Sequence, residues 1–215
     1  MSRLLYSVSI SLDGFVAGAN QSEANPLGVG GELLHAWMRE LSAWRRDALG
    51  TDEGFTNAST DVYEDGEDNV GAIIMGRNMF GGGPGPWGSE PWRGWWGDDP
   101  PFHLPVFVLT HYSRQTQVCE GETTFAFITE GPDRALELAR CAASGRDVAI
   151  SGGASVAKQF MERGLIDEMT LHLVPVLLGE GVSLFERRIV PEQRWIQSRV
   201  VEAPGVTHLT YRFSG

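Results

Sequence analysis

The sequence predicts an α/β domain with a mostly parallel central sheet, flanking helices and an antiparallel hairpin at the C-terminal edge. Three observations lead to it: short apolar or alternating runs typical of strands, amphipathic stretches that alternate with them mid-chain, and strands alone at the end. A chain of 215 residues, 42% hydrophobic, is long enough to bury a core. We therefore expect one domain over residues 1–215.

The first half of the chain supplies one strand and two helical segments. Val8, Ile10 and Leu12 alternate with serines, which predicts an opening strand. Apolar residues at helical spacing predict one amphipathic helix over residues 32–49. Residues 50–69 carry seven carboxylates and no basic side chain. We interpret this stretch as a solvated loop that leads into a short helix; a calcium loop is the alternative, although the spacing does not fit an EF-hand.

Residues 81–104 form the least regular segment, with four tryptophans among glycines and prolines. Neither a helix nor a central strand tolerates that content, so the segment is predicted to be a long ordered loop. Its tryptophans either pack the loop onto the body of the protein or onto a partner subunit, as a structural plug, or line a ligand cleft. In the second case Trp87 is a candidate substrate contact, because flat rings stack on flat rings.

Composition excludes several classes of function. The net charge of −11 opposes binding to nucleic acid and to anionic membranes. No apolar run approaches the roughly 20 residues of a membrane helix. Two cysteines support neither a disulfide scaffold nor a zinc site, so we expect no metal. The expected compartment is the cytoplasm.

Three strand-to-turn junctions, at residues 73–80, 106–111 and 149–156, are the places where ligand chemistry is expected. In the first and third, glycine lets the backbone approach a ligand, and a helix N terminus offers N–H groups to an anion. In the second, a hydroxyl and an imidazole follow the carboxyl end of a strand, where open α/β sheets bind ligands. A single Gly-Gly pair also occurs where strand and helix merely pack tightly.

Taken in order, the motifs SISLDGFVAG, IIMGRNMF, PVFVLTH and ISGGASVAKQFMERGLIDEMTLHLVPVLLGEGVSLF resemble the dihydrofolate reductase-like superfamily. Within it, the chain is most similar to stand-alone relatives of the C-terminal reductase domain of the bifunctional riboflavin-biosynthesis deaminase/reductase. The resemblance spans roughly residues 3–213. It implies a dihydrofolate reductase-like fold, NADPH as the cofactor and a homodimer, for which the apolar segment from Leu171 to Leu178 is the candidate interface.

The resemblance also implies which residues bind the cofactor. Three groups would contact its phosphates and adenine: Gly76, Arg77 and Asn78 at the phosphates, Thr110 and His111 at the 2′-phosphate, and Thr129, Glu130 and Gly131 beside the adenine. Two further groups would complete the site: Gly152, Gly153, Ala154, Ser155 and Val156 at the pyrophosphate, with a cis Gly152–Gly153 peptide, and Val16, Ala17 and Gly18 against the nicotinamide.

On the substrate side, two carboxylates are candidate catalytic residues. Asp13 matches the acidic position that the riboflavin-pathway reductases place near substrate, but an Asp-Gly pair also suits a turn. Glu32 corresponds to the substrate-binding acid of dihydrofolate reductases, but acids also favour the first turn of a helix. His35, one turn later, is a secondary candidate for substrate binding.

The implied activity is NADPH-dependent reduction of a small heterocycle, as in 5-amino-6-(5-phosphoribosylamino)uracil reductase. The chain departs from that enzyme in lacking a clear second phosphate cradle and the zinc signature of the deaminase half. Three alternatives stay open: a dihydrofolate reductase proper, a non-catalytic NADPH-binding module, and a structural assembly protein.

Overall fold

The structure, a computed structural model, describes residues 2–89, 92–185 and 194–214. It divides into two compact units, each built from two stretches of the chain. The first unit comprises Met1–Tyr6 and Asn69–Ile166, and the second comprises Ser7–Asp68 and Asp167–Gly215. The prediction of a single domain over residues 1–215 stays a prediction.

Eleven strands are assigned within the described residues. In chain order they are β1 (Leu4–Ser11), β2 (Phe15–Gly18), β3 (Val70–Gly76), β4 (Pro105–Leu109), β5 (Gln117–Val118), β6 (Thr124–Ile128), β7 (Asp147–Ser151), β8 (Glu168–Val174), β9 (Gly181–Ser183), β10 (Arg194–Ala203) and β11 (Val206–Ser214).

Six α-helices and two short 3₁₀ helices are assigned in the same part of the chain. The α-helices are α1 (Ala36–Arg39), α2 (Ser42–Leu49), α3 (Ala58–Glu67), α4 (Arg77–Phe80), α5 (Pro132–Ala143) and α6 (Ala154–Glu162). The 3₁₀ helices cover Gly31–His35 and Glu120–Glu122. No described helix is both long and apolar enough to cross a membrane.

The first unit contains a mostly parallel sheet. The start of β1 pairs with β7, β7 with β3, β3 with β4 and β4 with β6, all parallel, and the short β5 pairs antiparallel with β6. Every residue of β3 is buried, as expected of a central parallel strand. Helix α5 packs its alanine- and leucine-rich face against β3, β4 and β7.

The second unit is antiparallel where the first is parallel. The hairpin of β10 and β11 pairs through β11 with β8, and β8 lies beside β1. A separate two-stranded ribbon joins β2 to β9. The predicted α/β class, with a mostly parallel sheet and an antiparallel C-terminal hairpin, is confirmed.

The prediction of one helix over residues 32–49 is wrong. The segment is a 3₁₀ helix followed by α1 and α2, with a break at Leu41, which has extended backbone at φ −75° and ψ 135°. Leu41 is fully buried and forms a β-bridge with Phe55, whose carbonyl accepts the N–H of Ser42. The bridge at Leu41 thus interrupts the helix that the apolar periodicity predicted, although Leu41 is buried as the periodicity requires.

The acidic stretch 50–69 is a loop followed by α3, as predicted. Asn57 caps the helix: its side chain accepts the N–H of Ser59, and the Thr60 hydroxyl accepts the N–H of Asn57. This reciprocal capping satisfies backbone donors that the first helical turn leaves unpaired.

A buried carboxylate anchors the N terminus of the first unit. Asp147 at the start of β7 accepts two bonds from the Arg3 guanidinium at its Oδ2, from Nε at 3.1 Å and from Nη2 at 2.7 Å, and further bonds from the Arg3 N–H and the Asn69 amide. Burial opposes ionisation of this carboxyl, but these hydrogen bonds outweigh it and hold the pKa of Asp147 below its ordinary value.

We expect Asp147→Asn to lower the free energy of unfolding by about 2–3 kcal/mol, because the change leaves the Arg3 guanidinium without its carboxylate. Urea unfolding at pH 7 measures this loss. The matched control is Glu137→Gln, which breaks the exposed 2.7 Å pair with Arg134 and should cost less than about 1 kcal/mol. Equal losses in the two variants would contradict the role assigned to Asp147.

Candidate functional site

Parallel register aligns four strand ends along one edge of the first unit. Gly76 of β3 is level with Leu109 of β4, Leu109 is level with Ile128 of β6, and Met75 is level with Ser151 of β7. The residues that follow these strands therefore emerge side by side. We call this row, formed by residues 76–78, 110–111, 129–131 and 152–156, the carboxyl edge.

Two helices begin at the carboxyl edge with uncapped N termini. Helix α5 starts after Gly131 and helix α6 after Gly153, and in the part of the chain described here neither first turn receives a side-chain cap. The N–H groups of an uncapped first turn, together with the helix dipole, favour anions. The edge thus offers two anion-binding ends, one after β6 and one after β7.

The glycines of the edge have different physical roles. A Cβ on Gly76 would lie 2.7 Å from Val156 Cγ2, and one on Gly152 would lie 2.7 Å from Met79 Sδ, so both positions permit close packing. Gly153 faces open space but has φ +75°, a conformation that L side chains rarely adopt. The peptide between the two glycines is trans, so the expectation of a cis bond is wrong.

Arg77 binds the glycine-rich start of the loop that follows it. Its Nε donates to the Gly81 carbonyl at 3.0 Å, and its Nη2 donates to the carbonyls of Gly82 and Gly83 at 2.9 Å each. Its Cζ lies 3.1 Å from the centroid of the Trp87 ring. Nη1 is buried without a hydrogen-bond partner among the described residues. The role of Arg77 at a cofactor phosphate stays a prediction, and Asn78 beside it is exposed.

The loop over residues 81–104 packs on the core of the first unit through its tryptophans; Glu90 and Pro91 lie outside the described residues. Trp87, Trp92 and Trp96 contact the cluster that contains Phe80, Phe125 and Phe127. Three indole N–H groups donate to backbone carbonyls, those of Trp87, Trp92 and Trp95 to Tyr112, Phe80 and Met79 respectively. These contacts are those of a structural plug, and substrate binding by Trp87 stays a prediction.

Arg114 is a residue that the sequence interpretation missed. Its Cζ lies 4.8 Å from the Trp87 ring centroid and 4.7 Å from that of Phe127, and its guanidinium donates to the Trp92 carbonyl. Burial, followed by the charge of Arg114, lowers the pKa of Arg77. No carboxylate among the described residues forms an ion pair with either arginine, and both guanidinium groups pack on the Trp87 ring.

The remaining edge residues are held by local hydrogen bonds. Thr110 is buried; its N–H donates to the Ile128 carbonyl, and its hydroxyl accepts the N–H of Tyr112. His111 is exposed next to it. The Glu130 carboxylate accepts the N–H and hydroxyl of Thr129, and these bonds lower the pKa of Glu130.

In the second unit, Asp13 closes a turn and binds a second loop. Its carboxylate accepts the Ser11 hydroxyl at 2.6 Å, the Gly179 N–H at 2.7 Å and the Leu178 N–H at 3.2 Å. The Ser11 hydroxyl has the largest effect and lowers the pKa of Asp13; desolvation opposes it, and the backbone N–H groups of Gly179 and Leu178 lower the pKa further. The carboxylate is solvent-exposed and ionised at neutral pH, which suits it to accept a hydrogen bond from a substrate and not to donate a proton.

The other two substrate candidates lie on the 3₁₀ helix of the second unit. The Glu32 carboxylate is exposed, 3.9 Å from Arg39. His35 is partly buried, and burial together with the charge of Arg39 lowers the pKa of its imidazole. The 3₁₀ helix therefore presents an exposed carboxyl group and a partly buried imidazole within a single turn.

The expected nicotinamide contacts, Val16 and Ala17 with Gly18, form β2 of the second unit. A Cβ on Gly18 would lie 1.9 Å from the Val29 carbonyl oxygen, so that glycine is required by a close approach of two backbone segments. Ala17 is buried and Val16 is half-buried. Contact with a nicotinamide stays a prediction for all three.

Comparisons with known proteins agree with this architecture. An uncharacterized protein of Bacillus subtilis (strain 168), YyaP, is 26% identical over 224 residues, which cover 99% of this chain and 96% of that protein. A putative riboflavin biosynthesis protein from Shewanella sp. PV-4 superimposes with a TM-score of 0.61 at 21% identity, covering 99% of each chain.

Dihydrofolate reductase from Enterococcus faecalis, solved with NADP(H), superimposes with a TM-score of 0.52 at 14% identity, covering 99% of this chain and 97% of that one. At these identities the two solved structures establish the fold, which is dihydrofolate reductase-like as expected. The family model of the RibD C-terminal domain matches residues 3–208 of this chain. A match over nearly the whole chain, with the strand order and glycine-bearing edge described above, shows that the protein belongs to the RibD C-terminal domain family.

Proposed function

We propose that the protein is an NADPH-dependent reductase of a small heterocyclic substrate, related in chemistry to 5-amino-6-(5-phosphoribosylamino)uracil reductase. The observation that carries the proposal is the carboxyl edge, where four parallel strand ends and two uncapped helix N termini meet. A dinucleotide has several phosphates, and such an edge supplies several anion-binding positions. Arg77 at this edge, and Arg114 packed beside it on Trp87, add positive charge.

The cofactor, when bound, supplies a hydride, and the chain's residues hold and orient what reacts. The backbone of Gly152–Val156 at the start of α6 fits a pyrophosphate. Thr110 and His111 fit the 2′-phosphate that distinguishes NADPH from NADH, with Thr129 beside the adenine. Asp13 is proposed to accept an N–H of the heterocycle, because its ionised carboxylate stabilises positive charge on the ring that receives the electrons.

The proposal includes a homodimer in the cytoplasm that acts on a small molecule, with no nucleic-acid or membrane partner. Cys119 and Cys141 are free thiols, in accord with a reducing compartment. For the dimer, the support is exposed apolar surface in the second unit. Leu12, Leu177 and Phe185 are 55, 72 and 53% exposed, and the hydrogen bonds of Leu12 with Val176 and of Leu184 with Gly14 join their segments.

Calorimetric titration with NADPH and, separately, NADH tests cofactor binding. We expect NADH to bind at least about tenfold more weakly, because it lacks the charge-assisted bonds of the 2′-phosphate. Arg77→Ala should weaken NADPH binding by about 1.5–3 kcal/mol, whereas Arg46→Ala, which removes an exposed arginine of the second unit, should not.

The NADH titration separates two roles for Arg77. If Arg77 contacts the 2′-phosphate, only NADPH binding falls in Arg77→Ala; if it acts on the pyrophosphate or through the loop, both cofactors bind more weakly. An unchanged dissociation constant for NADPH would remove Arg77 from the cofactor site. Failure of the unaltered protein to bind either cofactor would overturn the proposed function, and binding without turnover would favour the non-catalytic module.

Asp13→Asn tests the substrate-side carboxylate. With 5-amino-6-(5-phosphoribosylamino)uracil as the substrate, we expect kcat/KM to fall by about ten- to a hundredfold, because one charge-assisted hydrogen bond is lost, with NADPH affinity unchanged. Ser11→Ala is the matched control, because it breaks the same turn and keeps the carboxylate. Equal losses of activity in the two variants would mean that Asp13 only closes the turn.

Light scattering at micromolar concentration tests the dimer. The expected mass is twice the 23.5 kDa of one chain. Leu177→Glu should shift it toward one chain, since it puts a charge on the proposed apolar interface. Val118→Glu, at an equally exposed apolar position of the first unit, should leave the mass unchanged. A monomer mass for the unaltered protein would contradict the dimer.

A further inference from the structure

Two histidines in the core of the second unit are hydrogen-bonded directly to each other. His172 of β8 and His208 of β11 are cross-strand partners, and their Nδ1 atoms lie 2.7 Å apart. Their residues are only 8 and 1% exposed. Each ring is also bonded at its far nitrogen: His172 Nε2 lies 2.7 Å from the Ser7 hydroxyl, and His208 Nε2 lies 2.8 Å from that of Ser59.

This chain of four side chains requires the two neutral imidazoles to be opposite tautomers. A hydrogen bond between two Nδ1 atoms needs a proton on one and a lone pair on the other. The ring with Nδ1–H then accepts from its serine through Nε2, and the other ring donates through Nε2–H. Every nitrogen of the pair is satisfied in this arrangement, whereas a proton on both Nδ1 atoms would place two donors face to face.

The surroundings keep both rings neutral. Burial lowers the pKa of His172 to about 3, helped by the neighbouring imidazoles of His208 and His35, and burial lowers that of His208 to about 4, helped by the charge of Arg199. Two further groups face the pair: the titratable imidazole of His35 from the 3₁₀ helix, and the charged guanidinium of Arg199 from β10, which forms an ion pair with Asp65 of α3. No carboxylate within the described segments forms an ion pair with either ring.

The histidine pair forms the surface on which Trp37 rests. The ring of Trp37 lies 4.8 Å from each imidazole centroid, and its Nε1 donates to the Ser9 hydroxyl at 3.1 Å. Leu34, three residues earlier, is fully buried against Val174 and Val206. These two side chains anchor the segment 31–39, which carries both substrate candidates of the 3₁₀ helix, Glu32 and His35.

We propose that His172 and His208 are positioning residues for substrate binding: their hydrogen-bonded pair holds Trp37, and through it the segment 31–39, in one orientation. This inference rests on the proposed reductase function, because Glu32 and His35 have a substrate to meet only if the protein is a reductase. Two apolar side chains in place of the histidines would also bury Trp37. They would not form the hydrogen bonds that fix the orientation of both imidazole rings and link β1, α3, β8 and β11.

The first test is nuclear magnetic resonance of histidine side-chain nitrogens in the 215-residue chain, assigned with His172→Gln and His208→Gln. We expect one of the pair with the proton on Nδ1 and the other with the proton on Nε2. Neither should titrate between pH 8 and 5, because burial disfavours the charged imidazolium. His103, an exposed histidine of the first unit, provides the control variant used below. Equal tautomers, or titration of either buried ring near 6.5, would overturn the proposal.

The second test is amide hydrogen exchange. His208→Gln breaks the bond between the rings but leaves an amide to reach Ser59, and we expect exchange over residues 32–39 to accelerate at least about tenfold while α5 keeps its protection. His103→Gln is the control and should change neither region. Because His208→Gln can unfold the second unit altogether, Ser59→Ala serves as a milder variant, with a smaller acceleration of the same segment.

Kinetics then distinguish this inference from the proposed function. In Ser59→Ala and His208→Gln we expect KM for the heterocycle to rise more than kcat falls, with NADPH affinity unchanged. Unchanged exchange over residues 32–39 in both variants, or an unchanged KM, would overturn the positioning role. Absence of turnover in the unaltered protein would instead overturn the proposed function, and the tautomer and exchange results would still decide whether the pair holds the segment.

Discussion

The parallel pairing of β7, β3, β4 and β6 is the constraint on which the candidate cofactor site depends. Parallel neighbours send all their carboxyl ends to one edge, and each must continue through a loop or helix before the chain returns. In the first unit two of these returns are α5 and α6, so their N termini come to the same edge as the turns after β3 and β4. Several anion-binding positions therefore arise together from one hydrogen-bond pattern.

Much of this arrangement was predictable from local patterns, and the exceptions have identifiable causes. Buried parallel strands are continuous apolar runs, and Gly153 precedes a helix that begins where expected. The helix over residues 32–49 was wrong because Leu41 meets its partner Phe55 fourteen residues later, beyond any helical period. Arg114 was missed because its aromatic neighbours come from three separate elements, and only the fold brings them together.

The second unit shows why the substrate side is harder to predict. The backbone N–H groups that hold Asp13 belong to residues 165 and 166 positions further along the chain, so an Asp-Gly pair alone could be assigned only as a turn or a substrate contact. His172 and His208 each occupy an ordinary strand position. Nothing local indicates that they face each other, and their hydrogen bonding becomes visible only through the antiparallel register of β8 and β11.

The hydrogen bonds of the loop that carries four tryptophans constrain how its sequence can vary among homologues. In the hydrogen bonds that hold this loop, the donors are side chains, namely three indoles of the loop and the guanidinium of Arg77 in α4. The acceptors of these bonds are all main-chain carbonyls. Every residue has a main-chain carbonyl, so an acceptor position tolerates substitution wherever its backbone conformation does not require glycine. The donors are not interchangeable, since lysine lacks the planar fork of arginine and phenylalanine lacks the indole N–H. Homologues that retain this loop should vary at its acceptors and agree at its donors.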